Sequence, residues 1–415
     1  MSPAPRPDAP RVVVTGVGVV SAWGWGREEF WHGLASGETA IADFSRIDHA
    51  PYRTHVAGEV PPPPDDLADS IPDWRHLSWA DRFAVAAARE ALAHAGLLSD
   101  PTGASQAAVF FGSSTGGMLE GEEWYRRVRR GTIGGLGLIA GQQVSAPGDA
   151  VARTFGCTGA VETISSACAS GTLALGRALD AVRLGECDLV LAGGADSLCR
   201  VTYGGFNSLR SVDEQPCRPF RGGRAGLSIG EGGAVLVVES AEHAAARGVR
   251  PLVELLGAGA TSDASHMTAP QPGGEGAARA LARALDDAGT APDQIAFVNA
   301  HGTGTPLNDA AEWRALSAVF GDDAAARLPV SATKGAVGHL LGSAGAIEAA
   351  ATVLSLVRGS LPPTPGEGDV DPESPVDLVR GAPRMLSNGG AAVSLNLAFG
   401  GCNAAVVFAP CGDRA

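Results

Sequence analysis

Residues 163–194 read TISSACASGTLALGRALDAVRLGECDLVLAGG, and the order of side-chain types in this stretch indicates the fold class. Small residues surround Cys168 and lead into the Ala- and Leu-rich segment Ser170–Gly185, which predicts a helix. The apolar run Leu189–Ala192 then ends at two glycines and predicts a strand. Apolar strands alternating with helices are typical of α/β proteins, in which helices cover both faces of the sheet.

The same alternation continues along the rest of the chain. Strands are predicted over Val12–Val20, Ala107–Gly112, Ala234–Glu239, Leu252–Ala258, Ile295–Ala300, Leu328–Ala332, Ala391–Leu397 and Ala404–Phe408, and helices over Ala80–Ala95, Ala277–Ala288 and Ser343–Arg358. Residues 60–74 and 361–377 are rich in Pro and acidic residues and predict long loops. Because the rhythm after about residue 250 is similar to the rhythm before it, we predict two related halves, 1–250 and 251–415.

Composition excludes several classes of protein. The chain has 415 residues, of which 45% are hydrophobic and 18% charged, so extensive disorder is excluded. A net charge of −14 and 5% aromatic residues argue against nucleic-acid binding. We see no uninterrupted apolar run long enough for a membrane span and no secretory leader, so we expect a cytoplasmic protein without a membrane anchor.

The seven cysteines are scattered, and no two form a CxxC pair. This spacing indicates neither a zinc ribbon nor a redox dithiol, and we predict no metal site. Most of these cysteines are expected to be small buried hydrophobic residues.

Cys168 is the first candidate for chemistry. The sequence places its thiol on a sharp strand-to-helix turn among small residues, which allow a substrate to approach. A helix N-terminus favours a thiolate and lowers the thiol pKa, and free backbone N–H groups there can hold an oxyanion. The alternative is a buried cysteine beside a tight turn.

Two further segments place His and Lys side chains on Gly-rich loops between predicted strands and helices. In NAHGTGTP (residues 299–306), His301 follows a strand, and the hydroxyls of Thr303 and Thr305 can bind an amide-bearing ligand. In KGAVGHLLG (residues 334–342), Lys334 and His339 lie in a Gly-dense bend. The alternatives are a structural His for the first segment and a surface cation for Lys334.

A fourth segment, NLAFGGCN (residues 396–403), places Phe399 beside two glycines between two strands, and the alternative there is a hairpin with a packed Phe. Taken together, a Cys at a helix start, two His and a Lys on Gly-rich loops, and no carboxylate pair favour acyl transfer to a thiol.

These segments resemble the β-ketoacyl carrier-protein synthases of the thiolase superfamily, especially synthase II and the ketosynthase subunit of type II polyketide synthases. The motifs VVVTGVGVVSAWG, SSACASG, DLVLAGGAD, GEGGAVLVVE, NAHGTGTPLND, KGAVGHLLGSAGA and FGGCNA occur in the order of that family, from about Val12 to Phe408. The resemblance implies a thiolase-like five-layer αβαβα fold of two pseudo-symmetric halves, and a decarboxylative Claisen condensation. The alternatives are a housekeeping fatty-acid elongation synthase II, and a non-catalytic chain-length-factor-like subunit, against which the presence of Cys168 argues.

The resemblance also implies roles for individual residues. Cys168 would carry the acyl chain, while His301 and His339 would hold the malonyl thioester carbonyl during decarboxylation. Lys334 would organise the site in a pair with Glu312. Phe399 would act as the gate, with its backbone N–H and that of Cys168 forming the oxyanion site. The substrate-binding residues would be Thr303, Thr305, Thr115 and Gly400. No cofactor is expected, because the phosphopantetheine arm arrives on the carrier protein.

Several positions depart from the family pattern. Arg221 and Ala225 stand where the family usually has Asp, Ala398 replaces a Gly, and Leu397 replaces an aromatic residue. Thr115 stands where fatty-acid enzymes usually place a larger apolar residue in the acyl pocket. A smaller wall suits a longer, unsaturated or oxygenated chain, so we favour a type II polyketide or polyene pathway.

The resemblance implies two kinds of partner. An acidic acyl carrier protein needs a basic patch on an enzyme with a net charge of −14. The best candidate is formed by Arg126, Arg127, Arg129 and Arg130, and the alternative is a solvated helix face. The second partner would be another copy of the chain, in a homodimer, or a chain-length-factor-like subunit, in a heterodimer.

Overall fold

The computed structural model describes residues 10–99, 103–132, 134–386 and 389–412. At its centre lies the strand Val12–Ser21, in which every residue is buried. This strand is rich in Val, whose β-branched side chain favours extended backbone, and its burial on both faces explains why the run is apolar throughout.

The strands are β1 Val12–Ser21, β2 Gly24–Trp25, β3 Ala42–Asp43, β4 Val56–Ala57, β5 Ala108–Gly112, β6 Val161–Ile164, β7 Leu189–Asp196, β8 Gly232–Ser240, β9 Val253–Ser262, β10 Ile295–Asn299, β11 Pro329–Ser331, β12 Ser360–Leu361, β13 Asp377–Leu378, β14 Arg384–Met385, β15 Ala391–Leu397 and β16 Cys402–Pro410. The α-helices are α1 Arg27–Ser36, α2 Asp65–Ser70, α3 Trp79–His94, α4 Met118–Arg129, α5 Leu136–Ala140, α6 Ala146–Phe155, α7 Ser170–Arg183, α8 Arg200–Ser208, α9 Ala241–Ala246, α10 Glu275–Ala288, α11 Pro306–Phe320, α12 Asp322–Ala325, α13 Lys334–Val337 and α14 Ala344–Arg358. Short 3₁₀ turns span Trp74–His76, Pro292–Gln294 and Leu341–Ser343.

The main sheet consists of two groups of strands with the same topology. In the first group the spatial order is β6-β5-β7-β8-β1, and in the second it is β11-β10-β15-β16-β9. In both groups the first three strands are parallel and the next two pairings are antiparallel. The groups join where β1 pairs with β9. The expected pseudo-symmetry is therefore present, while the division of the chain at residue 250 stays a prediction.

Five layers stack through the molecule. Helices α3 and α6 pack on the outer face of the first strand group, and α10 and α11 pack on the outer face of the second. Helices α7 and α14 form the middle layer, with apolar side chains from both strand groups around them. This arrangement confirms the thiolase-like αβαβα fold. Close approach between layers requires small residues: a Cβ on Gly171 of α7 would lie 2.5 Å from the backbone nitrogen of Ala346 in α14.

The strands and helices predicted from the sequence are present, with shifted ends. The expected loop at residues 60–74 is partly wrong, because it contains α2 and a 3₁₀ turn. Pro64 precedes α2, and the acidic Asp65 and Asp66 occupy its first turn, where they complement the helix dipole.

One segment, Leu341–Arg358, is long and apolar enough to cross a membrane by length and composition. It comprises the last 3₁₀ turn and α14, and 83% of it is buried inside the protein. Its hydrophobicity is explained by its place in the middle layer, where both sides of the helix face apolar strands.

Candidate active site

Cys168 lies on the turn between β6 and α7, directly before the helix begins, as expected, and its side chain is buried. The residue before it, Ala167, has a φ of +46°, which is unusual for a residue with a Cβ. Two bonds of Ser170 fix this turn: its hydroxyl donates to the carbonyl of Ala167 at 2.6 Å and accepts from the N–H of Ser166 at 2.8 Å. The turn thereby holds the thiol at the N-terminus of α7.

His301 follows β10 and is buried on its Gly-rich loop. The backbone N–H groups of His301 and Gly302 donate to the carboxylate of Glu312, at 2.6 and 2.8 Å. Glu312 lies on α11, a helix that begins directly after the loop. Glu312 thus fixes the backbone of the His301 loop.

The predicted pairing of Lys334 with Glu312 is wrong. Lys334 is fully buried and forms an ion pair with Glu348 of α14, while its Nζ also lies 2.9 Å from Nδ1 of His301. Asn396 completes the group, since its Nδ2 lies 3.0 Å from the same Nδ1 and donates to Glu348 Oε2 at 2.7 Å. The oxygens of Glu312 instead accept from the backbone N–H groups of His301 and Gly302 and from Nδ2 of Asn308.

Glu348 and Asn396 were missed in the sequence analysis. Glu348 is the only acidic residue in α14, whose sequence AGAIEAAATVLSLVR is otherwise small or apolar until its terminal Arg. A lone carboxylate in a buried helix needs a positive partner, so this pattern could have identified it. Asn396 on β15 carries no comparable local pattern, because its role depends on contacts between distant segments.

The hydrogen bonds decide the tautomers of both imidazoles. Nδ1 of His301 faces the donors Lys334 Nζ and Asn396 Nδ2, and Nδ1 of His339 accepts from the N–H of Leu341 at 3.0 Å. Each Nδ1 is therefore an acceptor, and the proton of each ring sits on Nε2. Burial, followed by the charge of Lys334, lowers the pKa of both imidazoles well below 6.5, which keeps the rings neutral.

Cys168, His301 and His339 form one cluster, in which the potential ligand atoms lie within 4.8 Å of one another. The ring centroids of the two imidazoles are 5.4 Å apart and the rings are perpendicular. Such a set could suit a soft metal ion in general. Here each Nδ1 faces a hydrogen-bond donor and each proton sits on Nε2, so both rings can donate a hydrogen bond from Nε2 to an oxygen.

A cavity of about 280 Å³ leads to this cluster. Its wall includes Cys168, His301, His339, Thr303, Thr305, Phe206, Asp263, Ala225 and Phe399. The hydroxyls of Thr303 and Thr305 lie 2.9 Å apart. Among the described residues, Thr115 and Gly400 do not line this wall: the Thr115 hydroxyl donates to Asp196 at 2.8 Å, and the Gly400 N–H donates to the carbonyl of Met267 at 2.8 Å.

Comparison with known proteins identifies the family. A model described as the N-terminal domain of beta-ketoacyl synthase matches residues 9–244, and a model of the C-terminal domain matches residues 252–366. The chain belongs to the β-ketoacyl synthase family. The 3-oxoacyl-[acyl-carrier-protein] synthase 2 of Staphylococcus aureus (strain COL) is 37% identical over 412 residues, which cover 96% of this chain and 98% of the relative. The chain is thus an acyl-transferring condensing enzyme, as the motifs predicted.

Solved structures agree with this assignment. One described as the ishigamide ketosynthase/chain length factor superposes with a TM-score of 0.91 at 34% identity, over 97% of this chain and 100% of the other. Another is described as a type II PKS acyl-carrier protein in complex with its ketosynthase bound to the hexaketide. It superposes with a TM-score of 0.87 at 28% identity, over 97% of this chain and 100% of the other.

The thiol of this β-ketoacyl synthase does not have the lowered pKa that the helix N-terminus suggested. Burial raises the pKa of Cys168 to about 11, although Lys334 and the backbone N–H groups of Phe399 and Cys168 act in the opposite direction. The resting enzyme therefore holds a thiol rather than a thiolate. The two N–H groups lie beside the sulfur, where an oxyanion on an attached acyl group would develop.

Phe399 of the synthase sits at the cavity wall on a loop with positive φ at both following glycines, +85° at Gly400 and +75° at Gly401. Its ring packs against that of Phe206 in α8, with centroids 5.5 Å apart. Ala398, which replaces the usual Gly, donates its N–H to the carbonyl of Cys402 at 2.7 Å. The positions of this loop whose conformation favours glycine therefore follow Phe399 rather than precede it.

Arg221 and Ala225, which also depart from the family pattern, lie in different environments. Arg221 is buried and donates to the carbonyls of Gly368 at 2.9 Å and Thr364 at 3.2 Å, so it holds the 364–368 loop in place. Arg224, which follows the family pattern between these two departures, lies 3.1 Å from the carboxylate of Asp309 and also pairs with Asp371. Ala225 lines the cavity, where its methyl group makes the wall apolar.

The basic patch lies at the end of α4. Arg126 and Arg127 both pair with Glu123, at 3.0 Å each, whereas Arg129 and Arg130 are exposed. Helix α4 is joined to α8 because Glu122 accepts from the N–H groups of Arg200 and Val201. The far end of α8 carries Phe206, which lines the cavity.

We expect nuclear magnetic resonance of the imidazole nitrogens to show neutral rings with the proton on Nε2 for both active-site histidines. A lowered pKa means that each ring gains its second proton only well below 6.5, so neither signal should titrate between about pH 6 and 8. His301→Gln and His339→Gln variants assign the two signals. A proton on Nδ1, or an imidazolium at about pH 6, would contradict the arrangement described above.

Proposed function

We propose that the chain joins an acyl group carried on Cys168 to a two-carbon unit from malonyl-carrier protein, with loss of CO₂. One observation carries this proposal: a buried thiol and two neutral imidazoles, each with its proton on the free nitrogen, share the end of one cavity. A thiol accepts an acyl group, and paired N–H donors stabilise an enolate.

Acyl loading is the first step. The sulfur of Cys168 attacks the carbonyl carbon of an acyl thioester on the carrier, and the bond from that carbon to the carrier sulfur breaks. Because the pKa of the resting thiol is about 11, its proton leaves during the attack and is taken up by the departing carrier sulfur. The N–H groups of Cys168 and Phe399 hold the oxyanion.

Decarboxylation follows, once malonyl-carrier protein occupies the cavity. The bond between the carboxylate carbon and the α-carbon breaks, CO₂ leaves, and the electron pair forms an enolate. The Nε2–H groups of His301 and His339 donate to the enolate oxygen. Lys334 and Asn396 keep the His301 ring in this tautomer. If the ring proton were on Nδ1 instead of Nε2, it would point at the N–H groups of these two donors.

Condensation completes the cycle. The enolate carbon attacks the carbonyl carbon of the acyl group on Cys168, the oxyanion collapses, and the carbon–sulfur bond breaks. The product is a β-ketoacyl thioester on the carrier, and the released thiolate takes up a proton from solvent. Phe399 gates the passage from loading to condensation, by moving from its contact with Phe206.

The enzyme needs no cofactor of its own in this proposal. The phosphopantetheine arm of the carrier lies along the cavity, where the hydroxyls of Thr303 and Thr305 face its amides. The reaction takes place in the cytoplasm.

Cys168→Ala is expected to abolish the acyl-enzyme, since no other group in the cluster can form a stable thioester. His301→Ala is expected to keep acyl loading but to lower condensation by about 10²–10³-fold, the usual loss for one oxyanion donor. Intact-protein mass spectrometry after incubation with acyl-carrier protein measures the adduct, and product formation from malonyl-carrier protein measures condensation. A normal adduct on Cys168→Ala would refute the proposal.

We infer that the acyl chain belongs to a type II polyketide or polyene pathway. Thr115 is buried behind the cavity wall with its hydroxyl bonded to Asp196, and it is smaller than the apolar residue that the related fatty-acid enzymes usually have at this position. The similarity to solved polyketide ketosynthases supports this view. Housekeeping fatty-acid elongation is the second candidate, supported by the 37% identity to the staphylococcal synthase 2. A non-catalytic subunit is not favoured, because the site is complete.

If Thr115 sets chain preference, the wild-type enzyme should accept unsaturated or oxygenated chains. Thr115→Ile should then slow the loading of these chains by about tenfold or more, as one to two extra carbons in a fitted pocket do. Loading rates with a panel of acyl-carrier proteins measure the effect. Thr115→Val is the control, because it removes the same hydroxyl from Asp196 without lengthening the side chain. Use of saturated chains alone by the wild type would contradict the polyketide assignment.

A second subunit fits the free edge of β6. Within the described residues this strand ends the sheet and pairs only with β5. Val161 on β6 is 40% exposed, so an apolar side chain lies at this edge. Exposed strand edges with apolar neighbours favour association. We propose that this edge forms the interface of a homodimer, or of a heterodimer with a chain-length-factor-like subunit.

Carrier docking is proposed at the basic patch of α4. Arg126 and Arg127 are partly neutralised by Glu123, so Arg129 and Arg130 supply most of the unpaired positive charge. Acidic carrier surfaces are attracted to such a patch, which raises the association rate more than it changes the chemistry.

The double charge reversal Arg129→Glu/Arg130→Glu should raise KM for carrier-bound substrate by about tenfold at low salt. The reason is that charges at the edge of an interface control the rate at which the two proteins associate. It should leave KM for a short pantetheine thioester unchanged. The control is Arg250→Glu/Arg327→Glu, which makes the same charge change before β9 and β11, at the sheet end away from the Cys168 loops. Equal effects on both substrates would exclude docking at α4.

A further inference from the structure

Asp196 ends β7 in the motif DLVLAGGAD and is fully buried. Its carboxylate accepts hydrogen bonds from both sides of the active site. Oδ1 accepts from Ser113 Oγ at 2.7 Å and from the N–H and hydroxyl of Thr115, both at 2.8 Å. Oδ2 accepts from the N–H of Ser114 at 3.0 Å and from the N–H of Gly342 at 2.7 Å. All of these partners are N–H or O–H donors.

One side of this network leads to the nucleophile. Ser114, whose N–H is held by Asp196, donates its hydroxyl to the carbonyl of Ala167 at 3.3 Å. Ala167 has the unusual φ of +46° and directly precedes Cys168. A residue with a Cβ stays in that conformation only when its surroundings hold it there. The loop fixed by Asp196 provides one of those restraints.

The other side leads to His339. Gly342, whose N–H is held by Asp196, follows Leu341, which has a φ of +53°. The N–H of Leu341 is the donor that fixes Nδ1 of His339. Asp196 therefore restrains the strained residue that sets the tautomer of His339. The strained residues that lie next to Cys168 and two residues after His339 in the sequence are thus connected through a single carboxylate.

We propose that Asp196 is a positioning residue, which fixes the Cys168 turn relative to the His339 loop so that both act on one substrate pair. This inference rests on the function proposed above. Two acceptor oxygens are required, because an amide in this place would direct its own N–H toward the donor of one loop. Acyl loading takes place at the Cys168 turn, and decarboxylation takes place at the imidazoles. Condensation requires the correct distance and orientation between the two, because the enolate must reach the acyl group on Cys168.

Asp196→Asn tests this inference through three rates measured on the full-length enzyme. These are acyl transfer to Cys168, decarboxylation of malonyl-carrier protein without acyl donor, and condensation. We expect condensation to fall by about 100-fold, the loss typical of a displacement near 1 Å, while each half-reaction falls far less. The thermal midpoint is measured in parallel.

Glu239→Gln is the matched control. Glu239 is also fully buried and accepts bonds from Thr15, His243 and Arg247, but it pairs with Leu189 at the opposite end of β7. Its loss should lower stability without separating the three rates. If Asp196→Asn lowered all three rates in parallel with stability, or left condensation intact, Asp196 would be a structural residue only and the inference would be wrong.

The double variant Ser113→Ala/Thr115→Val covers the case in which Asp196→Asn does not fold. It keeps the carboxylate but removes two hydroxyl donors, and condensation should again fall more than either half-reaction. Wild-type rates in this variant would overturn the inference. Failure of the proposed function is separate, because it would appear as a wild-type enzyme that loads no acyl group or makes no condensation product.

Discussion

The site depends on one buried charge, that of Lys334, and on the carboxylate that neutralises it. Lys334 is enclosed in the middle of the protein with Glu348, and a cation is tolerated there only because that carboxylate neutralises it. The remaining hydrogen-bonding capacity of Lys334 is directed at Nδ1 of His301. This contact fixes where the proton of the ring lies and keeps the imidazole uncharged. This contact decides whether the His301 ring donates or accepts a hydrogen bond in the cavity. With its proton on Nδ1, the ring would present a lone pair on Nε2, where a donor is needed.

The pseudo-symmetry of the sheet explains why these groups meet. Two strand groups with the same order present their loops to a common centre, with α7 and α14 packed between them. The first group contributes the Cys168 turn, and the second contributes the His301 loop, Lys334 and His339. The two halves share a fold but not a chemical role, so neither half contains the complete set. Small residues at the crossing of α7 and α14 let the halves come close enough.

The sequence alone predicted most of the fold, because its strands and helices have strong apolar patterns that burial enforces. It also located Cys168, His301, His339 and Lys334, since each lies on a Gly-rich turn next to a predicted element. The pairing of Lys334 was wrong, because ion pairs between distant segments depend on packing that no local pattern records. The thiol pKa was misjudged for a related reason: a helix N-terminus is visible in sequence, whereas the degree of burial that outweighs it is not.

The burial of Cys168 has a consequence for the lifetime of the enzyme-bound chain. A thioester is open to attack by water, and Cys168 is buried at the end of a cavity of about 280 Å³ whose wall has apolar residues such as Phe399 and Phe206 as well as polar ones such as Thr303. Bulk solvent therefore has little access to the sulfur. The chain can remain attached while one carrier departs and the next arrives. The fraction of chains that are elongated then depends on the lifetime of the thioester on Cys168, and shielding from hydrolysis extends that lifetime.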